Sequence, residues 1–225
     1  MKQEDVSGGE ALMLSLQEEA VDLVFGYPGG ASLHIYDALF KQQAIQHVLV
    51  RHEQGAVHAA DGYSRASGKP GVVFVTSGPG ATNAITGLAT AFMDSTPVIV
   101  ISSQVKSHLI GTDSFQETDM IGISRPVVKH SYLVQRPEEI PRVIKEAFHV
   151  ATTGRPGPVV VDIPKDLTDA SYKFRFLYPQ KADIRSYKPV EAGHTGQIKK
   201  AVKTLLKSKR PVIYSGGGVI QGNAS

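Results

Sequence analysis

The residue of this sequence with the clearest potential for chemistry is Glu53. It follows an apolar run in the segment VLVRHEQGAVHAA, residues 48–60, where a strand gives way to a helix. Two interpretations remain open from the residues alone. Glu53 is an exposed acid in the first turn of a helix, where the helix dipole favours negative charge. Alternatively it is a buried carboxylate, which requires a partner because Asp and Glu are rarely buried unpaired.

Two glycine-rich turns also follow apolar runs. In GYPGG, residues 26–30, the adjacent Gly29 and Gly30 allow positive φ angles and close backbone approach, either to expose backbone amides to a ligand or only to make a tight turn. In SGPG, residues 77–80, Pro79 stands where a helix begins, which is typical of a phosphate site at a helix N-terminus. This second turn lacks both the Lys-Ser/Thr of a P-loop and the GxGxxG spacing of dinucleotide folds.

The sequence predicts no metal site of its own. It contains no cysteine, which excludes disulfides and thiolate ligands. Its eight histidines show no HExxH spacing, and we interpret His52 and His58 as packed or surface residues rather than ligands. The small residues that follow Glu53 predict a closely packed helix face, against a ligand or a second copy of the chain: Gly55, Ala56, Ala59 and Ala60.

The elements that must position these residues alternate along the chain. Five apolar runs predict strands, at residues 21–25, 47–50, 71–76, 98–102 and 158–163. Five helical patterns are interleaved with them, at residues 9–19, 32–40, 54–67, 81–93 and 137–151. We therefore predict an α/β fold with a mainly parallel sheet and helices on both faces. Ligands of such folds bind at the carboxyl ends of the strands.

The predicted domain organisation has three parts. Residues 1–167 form the α/β domain, and residues 168–195, which lack clear periodicity, form a linker. Residues 196–225 predict a helix, a strand in RPVIYS and a glycine turn, which is how a second α/β domain begins. Because a strand and its turn cannot bury themselves alone, we expect the second domain to be truncated.

The charge is uneven. Residues 171–225 carry eleven basic and two acidic side chains, a net charge of +9, while the rest is acidic and the whole chain has +3. The lysines of QIKKAVKTLLKSK fall at helical spacing, which favours a solvated helix face over a nucleic-acid site because stacking aromatics are missing. No apolar run approaches the length of a membrane span. We expect a cytoplasmic protein that binds neither nucleic acid nor membrane.

Particular strings of residues indicate a protein family, which periodicity alone does not. They closely resemble the N-terminal part of the thiamine-diphosphate enzymes, and within them the acetolactate synthase (acetohydroxyacid synthase) large subunits. The resemblance covers residues 10–225. Five strings carry it, in this order: GYPGGA, RHEQGAVHAADGYSRASG, TSGPGATNAITGLATA, IGTDSFQETD and GRPGPVVVDIPKD.

The resemblance implies a longer protein with three domains. The first binds the pyrimidine of thiamine diphosphate, a central one holds FAD, and a C-terminal one binds the diphosphate through Mg2+. This chain would be the first domain and the start of the second, so the Mg2+ ligands would lie outside it. The same resemblance removes the phosphate-binding role from the SGPG turn. It also implies a homodimer or larger assembly through the pyrimidine domain, and a small regulatory subunit as a partner.

The resemblance assigns roles to individual residues. It implies that Glu53 bonds N1′ of the aminopyrimidine and shares a proton with it, which promotes proton loss from C2 of the thiazolium. Gln116 and Gly30 complete the implied catalytic set, and Ala31, Phe115 and Lys165 lie at the substrate entrance. Among the implied cofactor contacts, Arg155 and the three-glycine run match FAD contacts. The implied cofactor-binding residues are Glu53, Gly30, Pro79, Asn83, Ser95, Arg155, Gly216, Gly217 and Gly218.

The implied reaction is the decarboxylating condensation of pyruvate with a second 2-oxo acid, pyruvate or 2-oxobutyrate, in branched-chain amino-acid synthesis. Fold alone does not settle the substrate. Pyruvate decarboxylases have a histidine pair in the segment that corresponds to IGTDSFQETD, where this sequence has none. A pyruvate oxidase-like enzyme remains the alternative activity. The 225-residue chain by itself is expected to be an inactive, self-associating module.

Overall fold

The computed structural model describes residues 5–224. They form two compact units, of which the first ends at Tyr187 and the second begins at Lys188. The strands of the first unit are β1 (Asp5–Val6), β2 (Leu23–Gly26), β3 (Gln46–Leu49), β4 (Gly71–Val75), β5 (Val98–Gln104), β6 (His130–Leu133), β7 (Val159–Pro164) and β8 (Phe174–Arg175). Its helices are α1 (Gly8–Glu18), α2 (Leu33–Phe40), α3 (Glu53–Ser67), α4 (Pro79–Asn83), α5 (Ile85–Met93), α6 (Met120–Ser124) and α7 (Ile140–Thr152).

Six strands form one parallel sheet, in the order β3-β2-β4-β5-β7-β6. β1 and β8 make a separate antiparallel pair, with Asp5 opposite Arg175. The predicted α/β fold with a mainly parallel sheet is confirmed. Because all six strands run in one direction, their carboxyl ends meet at the same edge of the sheet.

Strand residues alternate between two apolar cores. On β5, Ile99 and Ile101 pack with α1, α2 and α7, whereas Val98 and Val100 pack with α3 and α5 on the opposite face. All four side chains are fully buried, and burial of each contributes about 1.5–3 kcal/mol. Covering both faces explains why the strands are continuous apolar runs in the sequence.

The small residues of α3 do not share one face, which corrects the prediction of a single small-residue surface. Ala56 and Ala60 are fully buried in the core. A Cβ added to Gly71 of β4 would lie 2.3 Å from the Ala60 carbonyl oxygen, so α3 packs on β4 at backbone distance. Gly55 instead has open space where its side chain would be, and Ala59 is half-buried. Only Gly55 and Ala59 remain for an outer contact.

Several element boundaries differ from the prediction. The helix expected over residues 81–93 is two helices, α4 and α5, which meet at Ala84. The helix expected from Pro137 begins as a 3₁₀ turn, Pro137–Glu139, before α7. The edge strand β6 was not predicted, because HSYL is short and only partly buried. Edge strands carry a weak apolar signal since a neighbour covers them on one side only.

The part of the predicted linker that belongs to the first unit, up to Tyr187, packs on the rest of that unit. The Tyr178 hydroxyl donates to Glu19 at 2.6 Å, and the Tyr187 hydroxyl donates to the Thr153 carbonyl at 2.8 Å. Lys129 donates from its Nζ to the Tyr187 hydroxyl at 3.1 Å and to the Thr153 carbonyl at 2.8 Å. The predicted division into residues 1–167, 168–195 and 196–225 stays a prediction.

The second unit contains α8 (Thr195–Lys207) and α9 (Gly217–Gln221). The strand predicted in RPVIYS is wrong, since residues 210–215 have no strand within the described part of the chain. Val212, Ile213 and Tyr214 are between 81% and 100% exposed. A strand requires a neighbour for its backbone hydrogen bonds, and this unit provides none among its described residues. Over residues 5–224, no helix has the length and apolar character needed to cross a membrane.

Candidate active site

The predicted catalytic residues converge at the carboxyl edge of the sheet. Gly30 follows β2, Glu53 follows β3 and Pro79 follows β4. Gln116 lies in the segment after β5, and Lys165 directly follows β7. This is the edge at which ligands of parallel sheets bind.

Glu53 is a buried carboxylate, which decides between the two interpretations of its position. It is the first residue of α3, where the helix dipole favours negative charge, and it is 6% exposed. Asn83, the last residue of α4, donates from its side-chain Nδ2 to Glu53 Oε2 at 2.9 Å. No group among residues 5–224 donates a hydrogen bond to Oε1. One carboxylate oxygen is therefore oriented by the protein and the other is free for the proton of a ligand.

The turn after β4 approaches this carboxylate without a side chain in between. A Cβ added to Gly80 would lie 3.1 Å from Glu53 Oε1 and 2.7 Å from Thr76 Cγ2. Gly78 takes φ +59°, a conformation that favours glycine. The glycines of this turn therefore allow the backbone to approach Glu53, and Pro79 starts α4 as predicted.

Of the two backbone features that glycine allows in the GYPGG turn, close approach is found and positive φ is not. Gly29 is in extended backbone with φ −158°, and Gly30 is not among the positive-φ residues. Gly29 is needed for close approach, because an added Cβ would lie 2.5 Å from Thr76 Cγ2. Ala31 also contacts Thr76, since the Ala31 amide donates to Thr76 Oγ1 at 3.3 Å. Gly30 itself is exposed, with open space where a Cβ would be added.

Gln116 is brought to the same turn from β5. It takes φ +60°, and a Cβ added to Gly78 would lie 2.6 Å from the Gln116 carbonyl oxygen. Two residues with positive φ are thus in backbone contact. Such conformations in a residue other than glycine cost about 1–3 kcal/mol and cluster at functional sites. Phe115 beside it is 89% exposed, as expected of a side chain at an entrance.

Residues 105–119, which we call the entrance loop, are held from both sides. Ser107 donates from its amide to Asp166 Oδ1 at 2.8 Å and from its hydroxyl to Oδ2 at 2.5 Å. Inside the loop, Glu117 accepts from the amides of Gly111 and Ser114. These two amides hold the pKa of Glu117 below its usual value. Lys165, next to Asp166, is therefore beside the base of the entrance loop.

Ser95 and Arg155 lie elsewhere. Ser95 comes just before β5 and Arg155 just before β7, so both lie at the amino edge of the sheet, opposite Glu53. Arg155 Nε donates to Ser95 Oγ at 2.8 Å, and its guanidinium also donates to the carbonyls of Phe92 and Met93. Ser95 takes φ +59° just after α5, so the pair closes the C-terminus of that helix. The structure does not bring these two together with the catalytic set.

The three-glycine run lies in the second unit. Gly216 precedes α9, and Gly217 and Gly218 form its first turn. None of the three has a neighbour where a Cβ would be added. Their predicted contact with FAD stays a prediction.

Three residues of the site were not predicted from the sequence. Thr76 and Gly80 contact the turns around Glu53, and Tyr36 on α2 is close enough for the Glu53 charge to act on it. Burial, together with this charge, holds the pKa of the Tyr36 hydroxyl well above its usual value. The TSGPG string contained Thr76 and Gly80, but a single sequence does not say which turn residue meets which neighbour.

Comparison with known proteins agrees with this geometry. Residues 6–123 match the family described as thiamine pyrophosphate enzyme, N-terminal TPP binding domain. That range includes the predicted catalytic residues Gly30, Glu53 and Gln116.

Similar proteins include acetolactate synthase large subunits. The chain is 60% identical over 222 residues to that of Buchnera aphidicola subsp. Schizaphis graminum, which covers 99% of the chain and 39% of the relative. It is 59% identical to that of Haemophilus influenzae, over 98% of the chain and 38% of the relative. It is 60% identical to the acetolactate synthase isozyme 3 large subunit of Escherichia coli, over 96% of the chain and 38% of the relative.

The chain thus spans about two fifths of the length of these curated relatives. The family match covers more than half of the chain and contains the buried glutamate at the carboxyl edge of the sheet. The chain belongs to the thiamine pyrophosphate enzymes and contains their N-terminal TPP binding domain.

Proposed function

We propose that this chain is the pyrimidine-binding part of an acetolactate synthase, which condenses pyruvate with pyruvate or 2-oxobutyrate and releases CO2 for branched-chain amino-acid synthesis. The identity of about 60% with acetolactate synthase large subunits over nearly the whole chain supports this activity. The single observation that carries the cofactor part of the proposal is the buried Glu53 with one free carboxylate oxygen.

The residues around Glu53 fit an aminopyrimidine ring. The Asn83 amide fixes one carboxylate oxygen, so the other is directed to a single partner. The glycine at position 80 leaves no side chain between that oxygen and the turn. A carboxylate with little access to water interacts more strongly with a ring nitrogen than an exposed one. In the proposed function Glu53 binds the ring nitrogen and shares its proton.

When bound, thiamine diphosphate supplies the reactive carbon and the electron sink of the reaction. The contribution of this chain is to orient the ring and to hold one proton. Glutamine in place of Glu53 would accept or donate a hydrogen bond but would not exchange the proton. Gln116 and the backbone of Gly30 are proposed to contact the substrate at the same edge, with Ala31, Phe115 and Lys165 at the entrance.

The remaining parts of the site are proposed to come from other regions and partners. In this proposal Mg2+ and the diphosphate are bound outside residues 1–225, and Arg155 with the run Gly216–Gly218 contacts FAD. A second copy of the protein completes the site, and a small regulatory subunit is a further proposed partner. The name of one relative, an isozyme's large subunit, is consistent with a smaller partner. A cytoplasmic location also stays a prediction.

An activity assay tests the proposal. The complete protein that contains this chain, with thiamine diphosphate, Mg2+, FAD and pyruvate, should form acetolactate, which is measured after conversion to acetoin. The 225-residue chain alone should form none above a blank without protein. Production of acetyl phosphate or peroxide instead of acetolactate would indicate the pyruvate oxidase-like alternative. Turnover by the 225-residue chain would contradict the proposed division of the site.

A further inference from the structure

The molecule contains a buried acid that the proposed function does not use. Asp162 lies on β7 and is 1% exposed. Its neighbours across the sheet are Ser102 on β5 and Leu133 on β6. No Lys, Arg or His among residues 5–224 pairs with it, and its Oδ1 accepts no hydrogen bond there. A carboxyl in such a place is unfavourable compared with the valines around it, so its presence requires a reason.

The Asp162 carboxyl accepts a hydrogen bond from Gln104, the last residue of β5. Gln104 Nε2 donates to Asp162 Oδ2 at 3.0 Å and to the Thr118 carbonyl at 2.7 Å. Its Oε1 accepts from the Val105 amide at 2.9 Å. The amide nitrogen of Gln104 thus donates two hydrogen bonds, and its oxygen accepts one. Asp162 is therefore one of three groups, with the Thr118 carbonyl and the Val105 amide, that fix which way the amide of Gln104 is turned.

These bonds join the two ends of the entrance loop. Gln104 immediately precedes the loop, and Thr118 lies at its far end. Between them are Phe115 and Gln116, and the Gln116 backbone rests against Gly78. The Gln104 amide is thus a cross-link at the base of the loop, and the Asp162 carboxyl holds that cross-link from inside the sheet.

We propose that Asp162 is a positioning residue: through the Gln104 amide it fixes both ends of the entrance loop and thereby the place of Gln116 beside the Gly78 turn. Only the part that gives Gln116 a role in the reaction rests on the proposed function. The requirement is an acceptor for the Gln104 N–H, not a charge, because an amide donates equally well to the oxygen of asparagine.

Amide hydrogen–deuterium exchange on the 225-residue chain tests the structural part. Asp162→Leu fills the space but leaves a buried donor unpaired, so the amides of the entrance loop should exchange about tenfold faster. Asp162→Asn should exchange like the wild type. Ser103→Ala is the matched control, because its hydroxyl, one residue from Gln104, is buried and has no hydrogen-bond partner among residues 5–224. It should leave the loop unchanged.

Two results with the Asp162 variants would overturn the proposal. One is an entrance loop that exchanges at the wild-type rate in Asp162→Leu, and the other is equal acceleration in the Leu and Asn variants. Should Asp162→Leu fail to fold, Gln104→Met cuts the same link from the loop side, and it should accelerate exchange in the loop to a similar extent. Unchanged exchange in a folded Gln104→Met chain would equally overturn the proposal.

Kinetics of the complete protein test the functional part. Asp162→Leu should lower kcat/KM for pyruvate about tenfold, while Asp162→Asn stays within about twofold of the wild type. A wild type that forms no acetolactate refutes the proposed function and leaves the exchange result standing. An active wild type with an equally active Asp162→Leu variant refutes the role of Asp162 in positioning Gln116.

Discussion

Carboxylate side chains have three different roles in this molecule, and burial explains the differences. Glu53 is buried with one paired and one free oxygen, Glu117 is a surface carboxylate that accepts two loop amides, and Asp162 is buried without a cation. Only the first arrangement leaves a carboxylate oxygen facing the edge where ligands bind. Their chemistry is therefore set by the surroundings that the fold provides.

A pair of adjacent glycines gives a residue-scale prediction. Gly29→Ala should lower the free energy of unfolding by about 1–3 kcal/mol, because its Cβ would lie 2.5 Å from Thr76. Gly30→Ala is the matched control, since nothing lies within 4 Å of its added Cβ. Urea denaturation of both variants measures the difference. Equal stability of the two would show that the turn adjusts to a side chain at position 29.

Asp162 gives a prediction on pH. Burial raises the pKa of Asp162 to about 7, with the nearby Asp119 at the start of α6 adding to the shift. The folded chain therefore binds the proton more tightly than the unfolded chain, so this group stabilises most below about pH 4 and loses its contribution as the pH rises towards 7. Between these limits the wild type should lose on the order of 1–3 kcal/mol relative to Asp162→Asn.

Urea denaturation at pH 4.5 and pH 7 measures this difference between the two proteins. The comparison with Asp162→Asn removes the effect of the other acids, which titrate alike in both. Parallel stability profiles over this pH range would mean that the folded state does not hold the proton at Asp162.

At the scale of elements, the sequence predicted the buried parts well and the exposed parts poorly. Strands β4 and β5 were predicted from continuous apolar runs, and the structure places both in the middle of the sheet. β6 was missed because it is a partly buried edge strand. The strand predicted in RPVIYS is wrong because its apolar residues have no neighbour to pack against within the described chain.

The same limit applies to the candidate site. Glu53 could be found from the sequence because it ends an apolar run, and the resemblance supplied its role. Its contact with Asn83, 30 residues further along, depends on how α3 and α4 pack. The cross-link from Gln104 to Asp162 spans 58 residues and carries no local pattern at all. Such contacts require the sheet order, which periodicity does not provide.

The end of α5 gives a prediction at this scale. Arg155 bonds Ser95 and two carbonyls at the C-terminus of that helix, so Arg155→Ala should destabilise the 225-residue chain by about 1 kcal/mol even without FAD. Arg136→Ala is the control, because Arg136 is mostly exposed and pairs with the neighbouring surface residue Glu139. Equal melting temperatures of the two variants in thermal denaturation would show that the Arg155 bonds do not stabilise the end of α5.

At the scale of the whole molecule, the chain presents apolar surface near the start of α3. Val48 and Leu49 on the edge strand β3 are 43% and 57% exposed, and Gly55 and Gly62 on α3 have open space above them. Exposed edge strands with apolar side chains are usually covered by another chain or domain. This agrees with the proposal that a second copy completes the site.

Sedimentation velocity tests the proposed self-association. The 225-residue chain should be dimeric at tens of micromolar in 0.15 M salt, where the Debye length of roughly 8 Å weakens repulsion between the basic segments. Replacing Gly55 and Gly62 with arginine should give a folded monomer, because both positions are open and arginine favours helix more than glycine. Ser171→Arg, on a different exposed segment, should remain dimeric. A wild-type monomer would mean that association requires other parts of the protein.

The central claim is that Glu53 shares a proton with the aminopyrimidine of thiamine diphosphate. Hydrogen–deuterium exchange at C2 of the cofactor bound to the complete protein measures the step that this proton controls. Glu53→Gln keeps the size and the hydrogen bonds of the side chain but not the proton exchange. The variant should therefore exchange C2 about 10²–10⁴-fold more slowly while it still binds the cofactor. Exchange at the wild-type rate in a folded, cofactor-bound Glu53→Gln protein would contradict the account.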